Sequence, residues 1–213
     1  AILLRGDMDS YLYYSRLINE ILQDEAPLFE KASIDEFYLD LSGMDRYLGC
    51  WQWARELREK IMRESGLPIS AALAVNKLVA KVATGEAKPN GQQRIESGRE
   101  KSFLAPLPVQ KLPAVGKKTQ AKLRLMGVKK IHTLAQIPPQ LLQREFGKRG
   151  RQLWKKANGI DDSTVIPWQE QQSLSAEYTF QADTTHIPEL ERQLSLMTQK
   201  LSFEMRQKNR LCS

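Results

Sequence analysis

Between residues 106 and 160 no helix or strand can run far. Pro106, Pro108, Pro113, Pro138, Pro139, Gly116, Gly127, Gly147 and Gly159 interrupt every apolar period there. Proline removes a backbone donor, and glycine is the usual residue at a helix end. The region is therefore restricted to short helices joined by tight turns, and no strand is needed to account for it. The same region concentrates charge. Residues 101–160 hold 14 lysines and arginines and a single acid, Glu145, a local charge of +13 in a chain whose formal net charge is +7. A basic helical domain beside an acidic remainder favours a polyanionic partner such as nucleic acid. The bland alternative is a solvated basic face.

The first ninety residues have a different rhythm. Tyr11, Tyr14, Leu17, Ile18, Ile21 and Leu22 fall on one helical face over residues 10–25, with Asp9 as the expected N-cap and Pro27 as the stop. Residues 29–41 read as one extended segment closed by Ser42-Gly43. A helix is expected over 46–65, with Leu48, Trp51, Ala54, Leu57 and Ile61 on its buried face. A buried strand follows at 69–75, a helix at 77–87 and a turn at 88–91. This alternation predicts helices packed on a small sheet. Residues 161–172 read as a polar linker, Ser173–Asp183 as a strand and 188–207 as a helix. One strand and one helix cannot bury a core, and the apolar opening Ala1–Leu4 lacks a methionine start, so both ends are expected to be incomplete. No apolar run approaches the ~20 residues of a bilayer span. Cys50 and Cys212 have no Cys or His at metal spacing, which excludes a zinc site and a disulfide framework and points to a reducing cytoplasm.

Three motifs carry chemistry. In Ser33-Ile34-Asp35-Glu36-Phe37-Tyr38-Leu39-Asp40, two adjacent carboxylates lie within an apolar extended segment. Neighbours on a strand point to opposite faces, so one acid would be buried at a cost of several kcal/mol unless the backbone bends and both share a divalent cation. Solvated acids on an edge strand are the alternative. Asp40 reads as a strand-end or turn residue. Next, Asn76-Lys77 opens a helix with Lys77 and Lys81 on one face, and Lys88 projects from the turn Lys88-Pro89-Asn90-Gly91. A lysine so held acts as a point charge on phosphate. Last, Leu112-Pro113-Ala114-Val115-Gly116-Lys117-Lys118-Thr119-Gln120-Ala121-Lys122-Leu123 is a tight turn feeding a helix N-terminus, with Gly127 as its C-terminal cap. Free amides there bind phosphate without reading bases, and Lys117, Lys118 and Lys122 add charge. This is the helix-hairpin-helix pattern, with Ala114 where a first glycine often stands.

In this order the motifs resemble Y-family DNA polymerases, most closely the DNA polymerase IV (DinB/UmuC-like) branch, over essentially the whole chain. SIDEFYLDLSGM at 33–44 and LAVNKLVAKVATGEAKPNG at 73–91 are similar to palm motifs. LPAVGKKTQAKLRLMGV at 112–128 and FGKRGRQLWKKANGID at 146–161 are similar to the thumb, and SLSAEYTF at 173–180 to the first strand of the little finger. The resemblance implies an incomplete α/β palm with a ferredoxin-like sheet over 1–98, an all-α thumb over 99–166, a linker over 167–172 and the first β-α part of an α+β little finger over 173–213. It implies that Asp35 and Glu36 are catalytic and hold Mg²⁺, with two ions in the full-length enzyme, and that Glu36 serves the primer 3′-hydroxyl. Lys88 would touch the incoming dNTP. DNA would be held by Lys77, Lys81, Gly116, Lys117, Lys118, Thr119 and Lys122.

By the same resemblance, a monomer would copy past damaged template bases on primer-template DNA in the cytoplasm, with a sliding clamp as a possible partner. The strand bearing the family's first catalytic Asp, the residue that excludes ribonucleotides and the fingers contacts to the triphosphate are not found here, so little activity is expected of this chain alone. Two other readings remain. One is a non-catalytic DNA-binding module using the helix-hairpin-helix. The other is a cyclase-like palm enzyme acting on free nucleotide, which gives no reason for the basic 101–160 segment.

Overall fold

The computed structural model describes residues 4, 6–44, 49–167 and 173–209. The chain divides into two compact units, Ala1–Trp168 and Gln169–Ser213. Helix α1 (Met8–Glu25) opens the first unit. Its N-cap is Asp7 rather than the expected Asp9. The Asp7 carboxylate accepts from the Ser10 amide at 3.3 Å and the Ser10 hydroxyl at 2.5 Å, which leaves Asp9 in the first turn. Ile21 and Leu22 are its buried apolar residues.

Residues 29–41 are not one extended segment. They fold into a hairpin of β1 (Phe29–Lys31) and β2 (Phe37–Leu39), paired antiparallel with Phe29 opposite Leu39 and Lys31 opposite Phe37. The Glu36 carbonyl closes the turn by accepting from the amides of Ala32 at 2.9 Å and Ser33 at 3.2 Å. Asp35 and Glu36 therefore sit at a bend, and the strand argument that would bury one of them no longer applies.

Helix α2 (Cys50–Ser65) ends at Gly66, whose φ of +71° favours glycine; the expected start of this helix, Leu48 included, lies outside the described residues. The chain continues through β3 (Ala71–Leu73), α3 (Lys77–Glu86) and β4 (Gln92–Arg94). β4 lies parallel to β3, with Ala71 opposite Gln92. Its residues give no strand signal in the sequence, because Gln92-Gln93-Arg94 is polar and only three residues long. Among the described residues the two pairs of strands form separate sheets.

Beyond β4 come α4 (Glu100–Leu104), a 3-10 turn (Val109–Lys111), α5 (Lys117–Leu125), α6 (Ile131–Gln136), α7 (Pro139–Phe146) and α8 (Lys148–Ala157). This is the short-helix domain that the prolines and glycines demand. The apolar packing runs across residue 98. Leu78, Val79, Val82 and Ala83 of α3 share one core with Leu104, Leu123, Leu134, Leu142 and Leu153 of the helical domain. A second core joins Ile21 and Leu22 of α1 to Leu57 and Ile61 of α2, with Phe29, Phe37 and Leu39 of the hairpin packed against it. The acid-bearing hairpin and α3 thus belong to different cores.

In the second unit the expected strand at Ser173–Asp183 is absent: these residues pair with no strand, for want of a partner among the described residues. Helix α9 (Ile187–Gln207) follows, with Pro188 in its first turn and no buried residue.

Candidate active site

The hairpin presents the acids from its turn. Asp35 is exposed. Its carboxylate accepts the Ser33 hydroxyl at 2.5 Å, and its own amide donates back to Ser33 Oγ at 3.3 Å. Glu36 is half-buried and crowded with donors. Lys81 Nζ lies 2.7 Å from both of its carboxylate oxygens, and the Tyr38 hydroxyl donates at 2.6 Å. Burial by itself would raise the Glu36 pKa, but the Lys81 and Tyr38 hydrogen bonds outweigh it and hold the carboxyl below its ordinary value. Burial, and then the bond to Glu36, push the Tyr38 phenol well up. Tyr38 is a site residue that the motifs do not single out. The signal that could reveal it is its closeness in sequence: Tyr38 stands two residues past Glu36, and its hydroxyl reaches the Glu36 carboxylate from β2.

Lys77 and Lys81 do face the same way, toward the hairpin. Lys77 Nζ is 2.6 Å from Glu30 Oε2 and 4.8 Å from the centroid of the Tyr38 ring, and it donates to the Thr164 carbonyl at 3.2 Å. Its ammonium is turned inward, with only 18% of the side chain exposed. Lys88 is exposed and has no ion pair among the described residues. Asp35, Glu36, Lys77, Lys81 and Lys88 all line one cleft of about 1920 Å³. Residues 34–42 and 67–77 border it in unbroken runs, whereas none of β1 does. All of β2 and β3 therefore borders the cleft. Asp40, just beyond β2, accepts from the Ser42 amide at 2.9 Å, a strand-end role.

The acid pair offers the hard oxygen ligands that Mg²⁺ prefers. One of its members is already neutralised by Lys81, however, and no group of three or more His, Cys, Asp or Glu side chains able to hold a metal is present among the described residues. The described residues do not amount to a finished divalent centre.

The basic element lies away from the cleft. Gly116 precedes α5 without a side-chain cap, so the amides of Lys117, Lys118 and Thr119 have no intrahelical acceptor. Lys117 and Lys118 are exposed. Lys122 is instead 3.4 Å from Glu145 and 4.9 Å from the Phe146 ring centroid. Ala114 has φ +71°, a left-handed conformation that costs a non-glycine residue roughly 1–2 kcal/mol, which explains why glycine suits this position. Lys156 Nζ donates to the Pro113 carbonyl at 3.2 Å and fastens the turn to α8. Trp154 packs against the larger core and Trp53 against the smaller, as a structural role requires.

The impB/mucB/samB family matches residues 1–85, and the DNA polymerase-iota thumb domain matches residues 110–161. The DNA polymerase IV of Dehalococcoides mccartyi (strain ATCC BAA-2100) is 36% identical over 211 residues, covering 99% of this chain and 54% of that protein. Along almost its whole length the chain is similar to Y-family DNA polymerases. Other Y-family relatives are similar. The DNA polymerase IV of Shewanella amazonensis is 36% identical over 205 residues, covering 91% of this chain and 58% of the relative. The crystal structure of a DinB family error-prone DNA polymerase from Sulfolobus solfataricus is 26% identical, with a TM-score of 0.70, and 78% of this chain covers 50% of it. An insertion ternary complex of Dbh DNA polymerase superposes with a TM-score of 0.69 at 26% identity, over 78% of this chain and 49% of that one. The chain thus spans about half the length of the curated Y-family relatives it matches. Their fold is the palm and thumb that the motif order implied.

One consequence of the Glu36 environment is directly measurable. Because its folded pKa is depressed, the ion pair contributes stability above the unfolded carboxylate pKa, and that contribution is lost as pH falls through the folded value. Lys81→Met is expected to move the Glu36 titration midpoint upward. Side-chain carboxyl NMR across the acid range checks this, and an unmoved midpoint would show that Lys81 does not govern the acid.

Proposed function

We propose that this chain supplies palm and thumb elements of a translesion DNA-directed DNA polymerase that adds dNTPs to a primer 3′-hydroxyl. The observation that carries this reading is the gathering of Asp35, Glu36 and Lys88 on one cleft in a Y-family-like chain whose helical domain is strongly basic. In the reaction, the primer hydroxyl oxygen forms a bond to the α-phosphorus. The bond from that phosphorus to the β-phosphate bridging oxygen breaks, pyrophosphate leaves, and the hydroxyl proton passes to solvent. Little of the barrier is covalent chemistry for the protein, so positioning and electrostatics do the work.

Each residue then has a physical task. Glu36, held ionised by Lys81 and Tyr38, accepts a hydrogen bond from the primer hydroxyl. Lys88, without an ion pair at the cleft, serves as a point charge for the triphosphate. Gly116, the amides of Lys117, Lys118 and Thr119, and the two lysine ammonium groups hold a backbone phosphate of the primer-template duplex. Lys122 supports that turn through Glu145 and Phe146. Lys81 and Lys77 hold the acid-bearing hairpin through Glu36 and Glu30. The family implies a divalent cation, and Mg²⁺ is the ion these oxygen ligands suit, with two ions in the complete enzyme. Its remaining ligands would come from outside the described residues. This is why the chain alone is expected to turn over poorly. The same reading places a monomeric enzyme in the cytoplasm, with a sliding clamp as a further partner.

The test is a hybrid in which this chain replaces the segment it matches in the Dehalococcoides relative. The hybrid should extend a primer with dNTPs. Binding to DNA without extension would favour the alternative, a non-catalytic DNA-backbone module. The isolated chain gives a second check. Its duplex affinity should fall steeply with salt, and Lys117→Ala with Lys118→Ala should reduce the log–log salt slope by about 0.9 for each phosphate no longer neutralised. An unchanged slope would remove the helix-hairpin-helix from the interface. A cyclase-like enzyme acting on free nucleotide would show no steep loss of duplex binding with salt.

A further inference from the structure

Both hydrophobic cores of the first unit reach the cleft, one through Leu22 and Leu57 and the other through Ala72 and Ile95. Polar contacts converge where the hairpin meets α3. Glu30 on β1 is the centre of these contacts. Its Oε2 accepts both from Lys77 Nζ at 2.6 Å, at the start of α3, and from the Ile166 amide at 2.7 Å. Residues 161–166, linker-like in their polarity but within the thumb by resemblance, form a strap over the α3 N-terminus. Asp161 Oδ2 accepts from the Leu78 amide at 3.0 Å, Asn76 Oδ1 accepts from the Val79 amide at 3.0 Å, and Asn76 Nδ2 donates to the Gly159 carbonyl at 2.9 Å. Asp161 also holds its own turn through the Ser163 amide and hydroxyl at 3.2 and 2.8 Å. Two of the four orphan donors of α3 are thereby satisfied by side chains, one of them from the end of the helical domain.

We infer that Glu30 and Asp161 are positioning residues: together they latch the acid-bearing hairpin to the α3–helical-domain block and so fix Asp35 and Glu36 relative to the element that grips DNA. The hairpin packs with α1 and α2, whereas α3 packs with the helical domain, so their mutual placement rests on the polar contacts between them: the Glu30 bonds, the Lys81–Glu36 pair and the Arg58 bonds to Ile69 and Asn90. Of these, the Glu30 carboxylate is the one shared by α3 and the strap, and so ties the hairpin to both at once. Burial alone would raise the Glu30 pKa, but the Ile166 amide and Lys77 outweigh it and hold it below its ordinary value, so the latch is charged at neutral pH. Lys77 stacked on Tyr38, whose hydroxyl donates to Glu36, carries the same constraint to the acid itself. The consequence for nucleotide addition rests on the polymerase reading; the latch does not.

The experiment places spin labels, on introduced non-natural amino acids, at exposed Tyr13 in α1 and exposed Leu125 in α5, and measures their distance distribution by electron–electron double resonance on the full chain. The parent should give one narrow distribution. Glu30→Ala should broaden and shift it, and Glu30→Gln, which keeps an acceptor oxygen, should restore most of it. Asp161→Ala, which releases the strap without touching the hairpin, carries the same expectation should Glu30→Ala fail to fold. Glu86→Gln breaks the Lys111 pair, at 2.7 Å, within one block and should leave the distribution unmoved. A folded Glu30→Ala or Asp161→Ala variant with the parent distribution, or a Glu86→Gln variant as broad as either, overturns the latch. Failure of the hybrid to extend primers would overturn the polymerase reading and leave the latch standing. In an active hybrid, Glu30→Ala should lower kcat while duplex affinity holds.

Discussion

Changing Asp35 and Glu36 together to alanine in the hybrid polymerase is expected to abolish nucleotide addition and leave duplex affinity essentially unchanged. The loss should exceed the ~10–100-fold typical when only a residue supporting a metal ligand is removed, because these acids are the oxygen ligands themselves in the proposed site. DNA affinity should persist because the basic turn at Gly116–Thr119 does not border the acid cleft. Stability should change little. Asp35 is exposed, and removing Glu36 leaves Lys81, with 44% of its side chain exposed, free to be hydrated. Parallel primer-extension and duplex-binding measurements decide the matter. If binding falls as far as synthesis, the carboxylates hold the fold and the assigned chemistry is wrong.

Gly150→Val is the change expected to damage the fold most. A Cβ at Gly150 would lie 2.0 Å from the Leu142 carbonyl oxygen, 2.3 Å from its carbon and 2.7 Å from the Gln143 nitrogen. All three are backbone atoms of α7 and cannot rotate away, so α8 must separate from α7. Fully buried Leu142 and nearly buried Leu153 sit at that seam. The cost should exceed the ~1–3 kcal/mol of ordinary core overpacking, readable as a large fall in the urea midpoint. Gly85→Ala is the matched control. It lies in α3 with nothing within 4 Å of an added Cβ, and should stabilise by about 0.8–1 kcal/mol through helix propensity. Equal effects at the two positions would contradict the close α7–α8 approach.

The residue pattern carried a large share of this outcome, for identifiable reasons. Proline and glycine act on the backbone locally, so the short-helix domain and its turns at Gly116, Gly127 and Gly147 were legible from single residues. Helical periodicity placed Lys77 and Lys81 on one face of α3 and Leu57 and Ile61 on the buried face of α2. What failed was whatever depends on a partner distant in sequence. Phe29–Leu41 looked continuous because Phe, Ile, Tyr and Leu recur along it; only pairing Phe29 with Leu39 reveals the bend. β4 has no apolar signature and is a strand because β3 lies beside it. Ser173–Asp183 alternates as a strand should, but the described residues offer it no neighbour.

Residue order was enough to establish the chemistry on offer: an adjacent acid pair, a lysine on a proline-fixed turn, and a basic helix-entry turn, each defined by spacing along the backbone. How those groups are deployed came from the folded arrangement. It sent Lys77 to Glu30 and Lys81 to Glu36, placed α3 in the core of the helical domain, and drew residues 161–166 over its N-terminus. The cause is that a charge's effect depends on what lies within a few ångströms of it. Across 47 residues between Lys77 and Glu30, or 83 between Leu78 and Asp161, no local pattern specifies that distance.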